Sequence, residues 1–499
     1  MYNRRIITAA AVLALSGTIL MAQETIRIAS PYKVTVLDPI VSAGGGNIEA
    51  YGLLYSRLMR TDKNGNLVPG LAERYEISED GLTYTFHLRD AKFSDGTPIT
   101  ADDAAFSLNR AAKDENSAYP AGFAPIAEIA VLDERTLQWT LKHPSAPILA
   151  NLDIFNAGIV SKDDVEERGE DAFVTNPVSS GPYMVKEWKP NDRLSLTANP
   201  NFWREGLPRV ENAELIEVSD ANARATMLMA GEIEVDRTVP WPQIEEINNT
   251  DGVSVKLEPS TVLYLVLPNH TRPPFDNLTV RQAATMALDR AAITKAVTLG
   301  HAEVANSTFS NALKFYDPSI SMPAYDPAAA RKLLEDDDLV GTEITMMITP
   351  ATEQIATLLK AQWDAVGFKT TVERVDAGLW WSKMANADYD VTSSWYFNET
   401  DDPDLAIRWA LCGTCGSHSY YTRYNNEEVN ELTEEALREG DEEKRAGLYR
   451  RIQEITVSEI AQIPLYYTPY ANGYSDRVKG LSLTPALQWT LEEAELTDG

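Results

Sequence analysis

The stretch LVPGLAERYEISEDGLTYTFHLRDAKFSDGTPITADDAAFSLNR, Leu67 to Arg110, decides how this chain is read. Its centre, GLTYTFHLRD (Gly81 to Asp90), alternates apolar and polar residues, with Leu82, Tyr84, Phe86 and Leu88 on one side. Successive side chains of a strand point to opposite faces, so this segment is expected as a half-buried strand. Just upstream, Asn64-Gly65 is a hairpin signal. Downstream, Thr100 stands where an N-cap belongs, with Asp102 and Asp103 in the first turn of a helix running to Arg110. A short oxygen-bearing side chain satisfies free N–H groups there, and acids suit the positive end of the helix dipole.

The same periodicities extend outward. ETIRIAS (Glu24 to Ser30) reads as a short strand, and Leu37-Asp38-Pro39 with Gly44-Gly45-Gly46 as a loop. Ile48 to Met59 carries Ile48, Leu53, Leu54 and Leu58 at helical spacing. Leu137 to Leu141 is another strand. In the second half, TVLYLVLPN (Thr261 to Asn269) is a near-continuous apolar run, as a strand buried on both faces would be. A helix from Val280, a strand at TEITMMITP, a helix over Glu353 to Val366 stopped by Gly367, and strands at FKTTVERV and DYDVTSSWYF follow. This alternation predicts a parallel α/β sheet there. Glu427 to Glu459 is helical with a break near Gly440-Asp441, and the tail is extended again. There is no internal repeat and no low-complexity segment.

A chain of 499 residues is too long for one core, so two or more domains are expected. The net charge of -30 repels phosphate backbones and anionic lipid, which argues against nucleic-acid or membrane-surface partners. At the N-terminus, Arg4 and Arg5 precede an apolar run from Ile6 to Met21, then Ala22 and polar Gln23. That is the pattern of a cleaved secretory signal over residues 1–22, with an uncleaved anchor as the alternative. No cysteine follows the run, so a lipid anchor is not supported. The mature protein is expected to be soluble and exported, to a bacterial periplasm. The two cysteines, Cys412 and Cys415 in LCGTCGSHS, are expected to pair in an oxidising compartment. A redox pair or half a zinc site is the alternative, with only His418 nearby.

The Leu67 to Arg110 stretch resembles the signature region of the extracellular solute-binding proteins of family 5, the large binding components of peptide-type ABC importers. The carrying elements are Ala72-Glu73-Arg74-Tyr75, the strand ending Leu88-Arg89, and Phe93-Ser94-Asp95-Gly96-Thr97-Pro98. SSGPYMVKEW (Ser179 to Trp188), the block Asn199 to Val235, PPFDNLTVRQAATMALDRAAI (Pro273 to Ile293), RYNNEEVNELTEEAL, LYRRIQEI and IPLYY resemble further family blocks in the family's order. The resemblance implies an α/β, two-lobed periplasmic-binding-protein fold of type II, with the extra subdomain of the peptide-binding class. Carried onto this sequence, lobe I takes residues 23–266 and 474–499, with 56–175 as the inserted subdomain. Lobe II takes 267–473, with crossings near Tyr264–Asn269 and Tyr467–Asn472. The lobes close over a ligand like a hinged trap. The implied partners are a small-molecule ligand and the membrane permease subunits of an ABC transporter, with the binding protein itself a monomer.

Neither catalysis nor a cofactor is indicated. His87, His143, His270, His301 and His418 sit in no GxSxG or HExxH setting, so a secreted hydrolase is a remote alternative. His418, in a lobe II loop, is a candidate to face the ligand in the cleft; with two cysteines it is a thin metal-ligand set, although some family members carry nickel complexes. The loop Ser42, Ala43, Gly44, Gly45 and Asn47 faces the cleft in the resemblance, where its glycines would admit a ligand close to backbone; a flexible turn is the alternative. Trp241, Trp380, Trp381 and Trp395 are aromatic candidates for the wall, with core packing expected for at least one of the adjacent pair.

In SSWYFNETDDPD (Ser393 to Asp404), Trp395 and Tyr396 end a strand. The peptide-binding branch of the family carries an aspartate three residues after that tryptophan, which pairs with the ligand's α-ammonium. Here Asn398 stands in its place. Glu399, Asp401 or Asp402 then supplies the charge from a shifted loop, or the ligand has no free ammonium. The ligand ranking that follows is a short peptide, then an oligosaccharide or other uncharged polar solute, then a metal chelate. Asp404 is expected to cap the next helix.

Overall fold

The computed structural model describes residues 24–62, 65–415, 419–484 and 488–497. The secretory segment, Asn64 of the hairpin signal and His418 lie outside the described residues.

Two sheets organise the chain. In the first, Thr25–Ser30 runs parallel to Asn212–Glu217 and Val235–Asp236, while Arg193–Ala198 and Tyr183–Lys189 extend one edge. Tyr470–Ser475 returns from far along the sequence to lie antiparallel between Val235–Asp236 and Val253–Glu258. The helix Gly45–Leu54 packs on this sheet, and Leu53 and Leu54 share a core with Ile26, Ile28, Tyr183 and Leu196.

The second sheet has the order Glu303–Val304, Ile463–Tyr467, Leu263–Pro268, Val391–Tyr396, Glu343–Ile348, Lys369–Arg374. It is parallel only in part. Glu343–Ile348 lies parallel to both Lys369–Arg374 and Val391–Tyr396, with helix Glu353–Val366 as the crossover between the first two. Leu263–Pro268 is antiparallel to Val391–Tyr396 and to Ile463–Tyr467. A helical crossover brings the chain back in the same direction, whereas a strand arriving straight from the other sheet is free of that constraint. The chain passes between the sheets at residues 259–262 and returns at 468–469. The outward passage is a few residues ahead of the expected crossing, because Tyr264 to Pro268 already pair within the second sheet.

The four-stranded antiparallel sheet Ala72–Ile77, Thr83–Leu88, Thr136–Leu141, Ile126–Asp133 forms a third body, covered by helix Ala101–Lys113. Tyr84, Phe86 and Leu88 are buried as the alternation predicts, and the Phe86 ring lies 4.8 Å from Trp139. Thr100 and Asp103 cap the helix reciprocally, each side chain accepting from the other's backbone N–H. The helix runs to Lys113, one turn beyond the expected end.

Two local expectations are corrected. The helix read over Ile48 to Met59 spans Gly45–Leu54, and Met59–Thr61 is a strand. The SSGP loop ends the helix: Gly181 N–H donates to Leu54 O at 2.9 Å, and Ser56 donates twice to Ser180, from its N–H to Oγ and from its hydroxyl to the carbonyl. Asp404 is the first residue of helix Asp404–Ala410 rather than its cap; Pro403 holds the cap position. The break near Gly440-Asp441 does separate two helices, with the Asp441 side chain accepting from Glu443 and Lys444 N–H. No helix among the described residues is long and apolar enough to cross a membrane.

The contact at Gly181 leaves no room for a side chain, because a Cβ would stand 2.6 Å from the Leu54 carbonyl carbon and 2.7 Å from Leu53 O. Gly181→Ala is therefore expected to cost about 1–3 kcal/mol of stability by forcing backbone apart. Gly440, with nothing within 4 Å of its Cβ position, is the control. Gly440→Ala should stay within about 0.5 kcal/mol. Urea midpoints compare the two; equal midpoints would show that the loop yields freely.

Candidate functional site

Two adjoining cavities, of about 520 Å3 and about 220 Å3, lie between the two sheets. They share Tyr264, Trp395 and Phe397. Tyr264 and Trp395 are direct partners across the central strand pair, so both rings leave the same face of the sheet. The Tyr264 ring stacks on Tyr466 at 4.7 Å, and Trp395 stacks toward Phe397 at 6.1 Å. Trp380, Trp381, Trp409 and Tyr420 complete the second-sheet wall of the larger cavity. Tyr420 is held by Trp409 at 3.9 Å, by Ser394 Oγ at 2.8 Å, and by donation to Trp395 O at 3.2 Å. Trp380 is buried, donating to Thr392 Oγ1, while Trp381 beside it is half exposed.

The opposite wall comes from the first sheet and its attached body: Ala43, Ala118 and Tyr119 at the larger cavity, Tyr32, Trp241 and Tyr470 at the smaller. The two sides touch. Tyr119 OH donates to Glu399 Oε2 at 3.0 Å, Trp241 stacks on His301 at 5.7 Å, and Ala146 N–H donates to Leu437 O at 2.8 Å. Leu405, on the second-sheet side, packs into the core of the four-stranded sheet. The cleft is closed in this structure.

The loop after Trp395 is rigid for identifiable reasons. Asn398 is only 1% exposed. Its Nδ2 donates to Thr400 O and Asp402 O, both at 2.6 Å, and its Oδ1 accepts from Ala406 N–H at 3.0 Å. Its backbone N–H and C=O both bond the Thr261 hydroxyl, at 2.9 and 3.0 Å. Asp402 is held by a two-pronged ion pair with Arg445, Nη2 to Oδ1 at 2.8 Å. Asn398 is thus a structural residue, and the expectation that it faces the ligand is corrected: both of its amide donors are already committed. Asp401 is likewise turned away, half exposed and paired with Lys314 at 3.4 Å.

The charge of the lip falls to Glu399. It is 8% exposed and lines the larger cavity. Burial pushes its carboxyl up to about 7, against which the Tyr119 hydrogen bond acts only in part. Asp404 is also pushed up to about 7 by burial, and its Oδ1 has no hydrogen-bond partner. Among the described residues, no lysine, arginine or histidine lines either cavity, and Glu399 is the one acid that does. A guanidinium does lie behind the wall: Arg237 is 5.0 Å from the Tyr470 ring centre and 5.9 Å from that of Tyr32. It is buried and paired with Glu49 at 2.8 Å and Asn472 at 3.0 Å.

Of the residues singled out in the sequence, Ala43, Trp241, Trp380, Trp381, Trp395, Tyr396 and Glu399 line the cleft. Ser42, Gly44, Gly45 and Asn47 do not, which corrects the reading of that loop. Asn47 bonds Thr35 and Ser42, and Ser42 accepts from Gly44 N–H, so the loop's polar groups close on themselves. Its glycines serve close packing on the chain itself: a Cβ at Gly46 would sit 2.4 Å from Lys33 O. Cys412 and Cys415 are disulfide-bonded. Among the described residues, no group of three or more His, Cys, Asp or Glu is placed to hold a metal. Sequence reasoning missed Tyr119, Tyr264, Trp409 and Tyr420. Tyr264 alone had a visible signal, a lone aromatic in an otherwise aliphatic strand.

The sequence profile of the bacterial extracellular solute-binding proteins, family 5 Middle, matches residues 66–417. Glutathione-binding protein GsiB of Escherichia coli O157:H7 is 26% identical over 500 residues, covering 97% of this chain and 96% of that one. Among solved structures, the periplasmic binding protein DppA of Helicobacter pylori, in complex with the peptide STSA, superposes with a TM-score of 0.85 at 22% identity. That match covers 95% of this chain and 98% of the other. NikA of Brucella suis, in complex with Fe(III)-EDTA, gives 0.86 at 19% identity, with 95% and 100% covered. These likenesses carry the two-lobed fold, and the profile match over most of the chain settles membership: this protein belongs to the bacterial extracellular solute-binding proteins of family 5.

Proposed function

We propose that this protein captures a short peptide-class solute in the periplasm and hands it to the permease subunits of an ABC importer. The observation that carries the reading is the closed aromatic cleft, lined from both lobes and bridged by Tyr119 and Glu399. Relatives named for glutathione and crystallised with a peptide make that solute class the first choice. The secretory pattern at residues 1–22 supports export. An oligosaccharide is the second reading, favoured by the stacked rings of Tyr264, Tyr466, Trp395 and Phe397.

In this reading, the first sheet with its attached four-stranded body and the second sheet with its helices move as two bodies about the passages at 259–262 and 468–469. Those passages are tied to each other, since Ser260 Oγ donates to Thr468 O. Solute binds one lobe of the open form, and the second lobe closes because it adds contacts available only in the closed state. The cavity walls supply apolar area with little entropy loss, and a few polar groups orient the solute. The solute is released unchanged.

Thermal-shift measurement on the mature protein against di- to tetrapeptides and oligosaccharides tests the solute class. A ligand at a hundred times its Kd stabilises by about 2.7 kcal/mol, so a true peptide ligand raises Tm in a saturable way. Sugars raising Tm while every peptide fails would overturn the first choice. A pair of variants separates wall from scaffold. Trp395, 42% exposed, has a side chain to remove without opening a core. Trp395→Ala should weaken solute affinity roughly tenfold or more at nearly unchanged Tm. Asn398→Ala leaves the buried Thr400 carbonyl and Ala406 N–H without their side-chain partner, while Asp402 O keeps the Thr400 hydroxyl, and should cost about 2–3 kcal/mol of stability. The opposite pattern would return Asn398 to the binding surface.

A further inference from the structure

The charge census of the cleft says more about the solute than its fold does. The larger cavity is walled by Tyr119, Tyr264, Trp395, Phe397, Trp409 and Tyr420 among other rings, and carries one carboxylate, Glu399. Glu399 is held on one oxygen by Tyr119 OH, and no other side chain donates to it among the described residues. Ring faces carry negative partial charge, so rings and carboxylate favour the same kind of guest. They disfavour an anion, whose carboxylate would meet no cationic side chain among the described residues lining either cavity and would be desolvated without compensation.

We propose, resting on the capture reading above, that the solute is a small organic cation without a free carboxylate. It would be an amine-bearing peptide amide or a comparable ammonium compound, with its positive charge between Glu399 and the surrounding rings. Glutathione and ordinary dipeptides carry carboxylates and fit this cleft poorly. The other titratable and charged groups around Glu399 are few. Tyr470 approaches from the first sheet, and Asp404 lies beyond Tyr119. Arg57 faces it across a void of about 10 Å3 shared with Gln488 and Phe155. Arg57 Nη1 is bonded to Asp153 at 3.3 Å and Gln488 at 3.1 Å, whereas its Nε and Nη2 have no partner among the described residues, so this guanidinium stands behind Glu399, outside the lining of the two cavities.

The sign of the pH effect follows. In the empty closed cleft Glu399 takes up a proton near pH 7, and a bound cation requires the carboxylate. Affinity for a cation should therefore be full where Glu399 of the free protein is ionised and fall, up to tenfold per unit, as pH drops below its titration, which lies near 7 in the closed form and lower in the hydrated open form.

Isothermal titration of the full mature chain with four probes tests this: Leu-Phe-amide, Leu-Phe with its free carboxylate, N-acetyl-Leu-Phe-amide, and glutathione. The amide is expected to bind at least tenfold more tightly than each of the other three. Glu399→Gln should erase its advantage over the acetylated form and flatten the pH profile while leaving Tm at pH 6 nearly unchanged. Glutathione or the free acid binding as tightly as the amide would overturn the inference and leave peptide capture standing. Equal binding of the amide and its acetylated form would do the same. If none of the four binds and an oligosaccharide does, both readings fall.

Discussion

The amide of Asn398 fixes the geometry on which the cleft depends. One side chain joins Thr400, Asp402 and Ala406, and its backbone clasps the Thr261 hydroxyl in both directions. Thr261 belongs to the passage between the sheets, so the lip of the second lobe is attached to the hinge itself. The consequences run both ways along the chain. Trp395 and Phe397 before it, and Glu399 after it, are presented to the cleft at set positions. Asp402 is delivered to Arg445, which anchors the loop to helix Glu442–Ser458. Buried hydrogen bonds of this kind gain most from completeness, since one missing partner leaves the others unsatisfied.

That network also explains what could and could not be read from the sequence. Segments governed by local rules were legible. The alternation of Gly81 to Asp90, the Thr100–Asp103 cap and the Asp441 break each depend on residues a few positions apart. The end of the helix at Leu54 was not legible, because the group that stops it is Gly181, remote in sequence. The glycine run at 44–46 looked like a place for a ligand to approach, and the approach is real, but it is Tyr32 and Lys33 that come close. The mixed direction of the second sheet escaped the strand–helix pattern for a related reason. One of its strands, Leu263–Pro268, enters from the other lobe and another, Ile463–Tyr467, leads back to it, and no periodicity records that.

Asn398 is the most instructive case. Set beside the family's pattern, an asparagine in place of an aspartate reads as a lost charge. In three dimensions the position is turned inward, where a carboxylate would have no use for the Thr400 and Asp402 carbonyls that an amide satisfies. The charge is displaced by one residue, to Glu399, whose side chain does reach the cavity. On the cation reading proposed above, what a one-dimensional comparison scores as loss is a shift of the charge along the loop.

The buried Glu399 bears on closure as well as recognition. A carboxylate cut off from water and answered only in part, by a tyrosine hydroxyl and its own backbone N–H, is costly, which is why its proton is held until about pH 7. In the open form the same group is hydrated and that cost disappears. Above neutrality an empty closed cleft is therefore penalised relative to an open one, and a guest that neutralises Glu399 removes the penalty. A ligand shifts a conformational equilibrium only by its differential affinity for the two states. The displaced acid supplies such a difference for a cation and withholds it from a neutral or anionic solute. Selectivity and closure would then rest on the same carboxylate, with the chain's net charge of -30 drawing cations toward it.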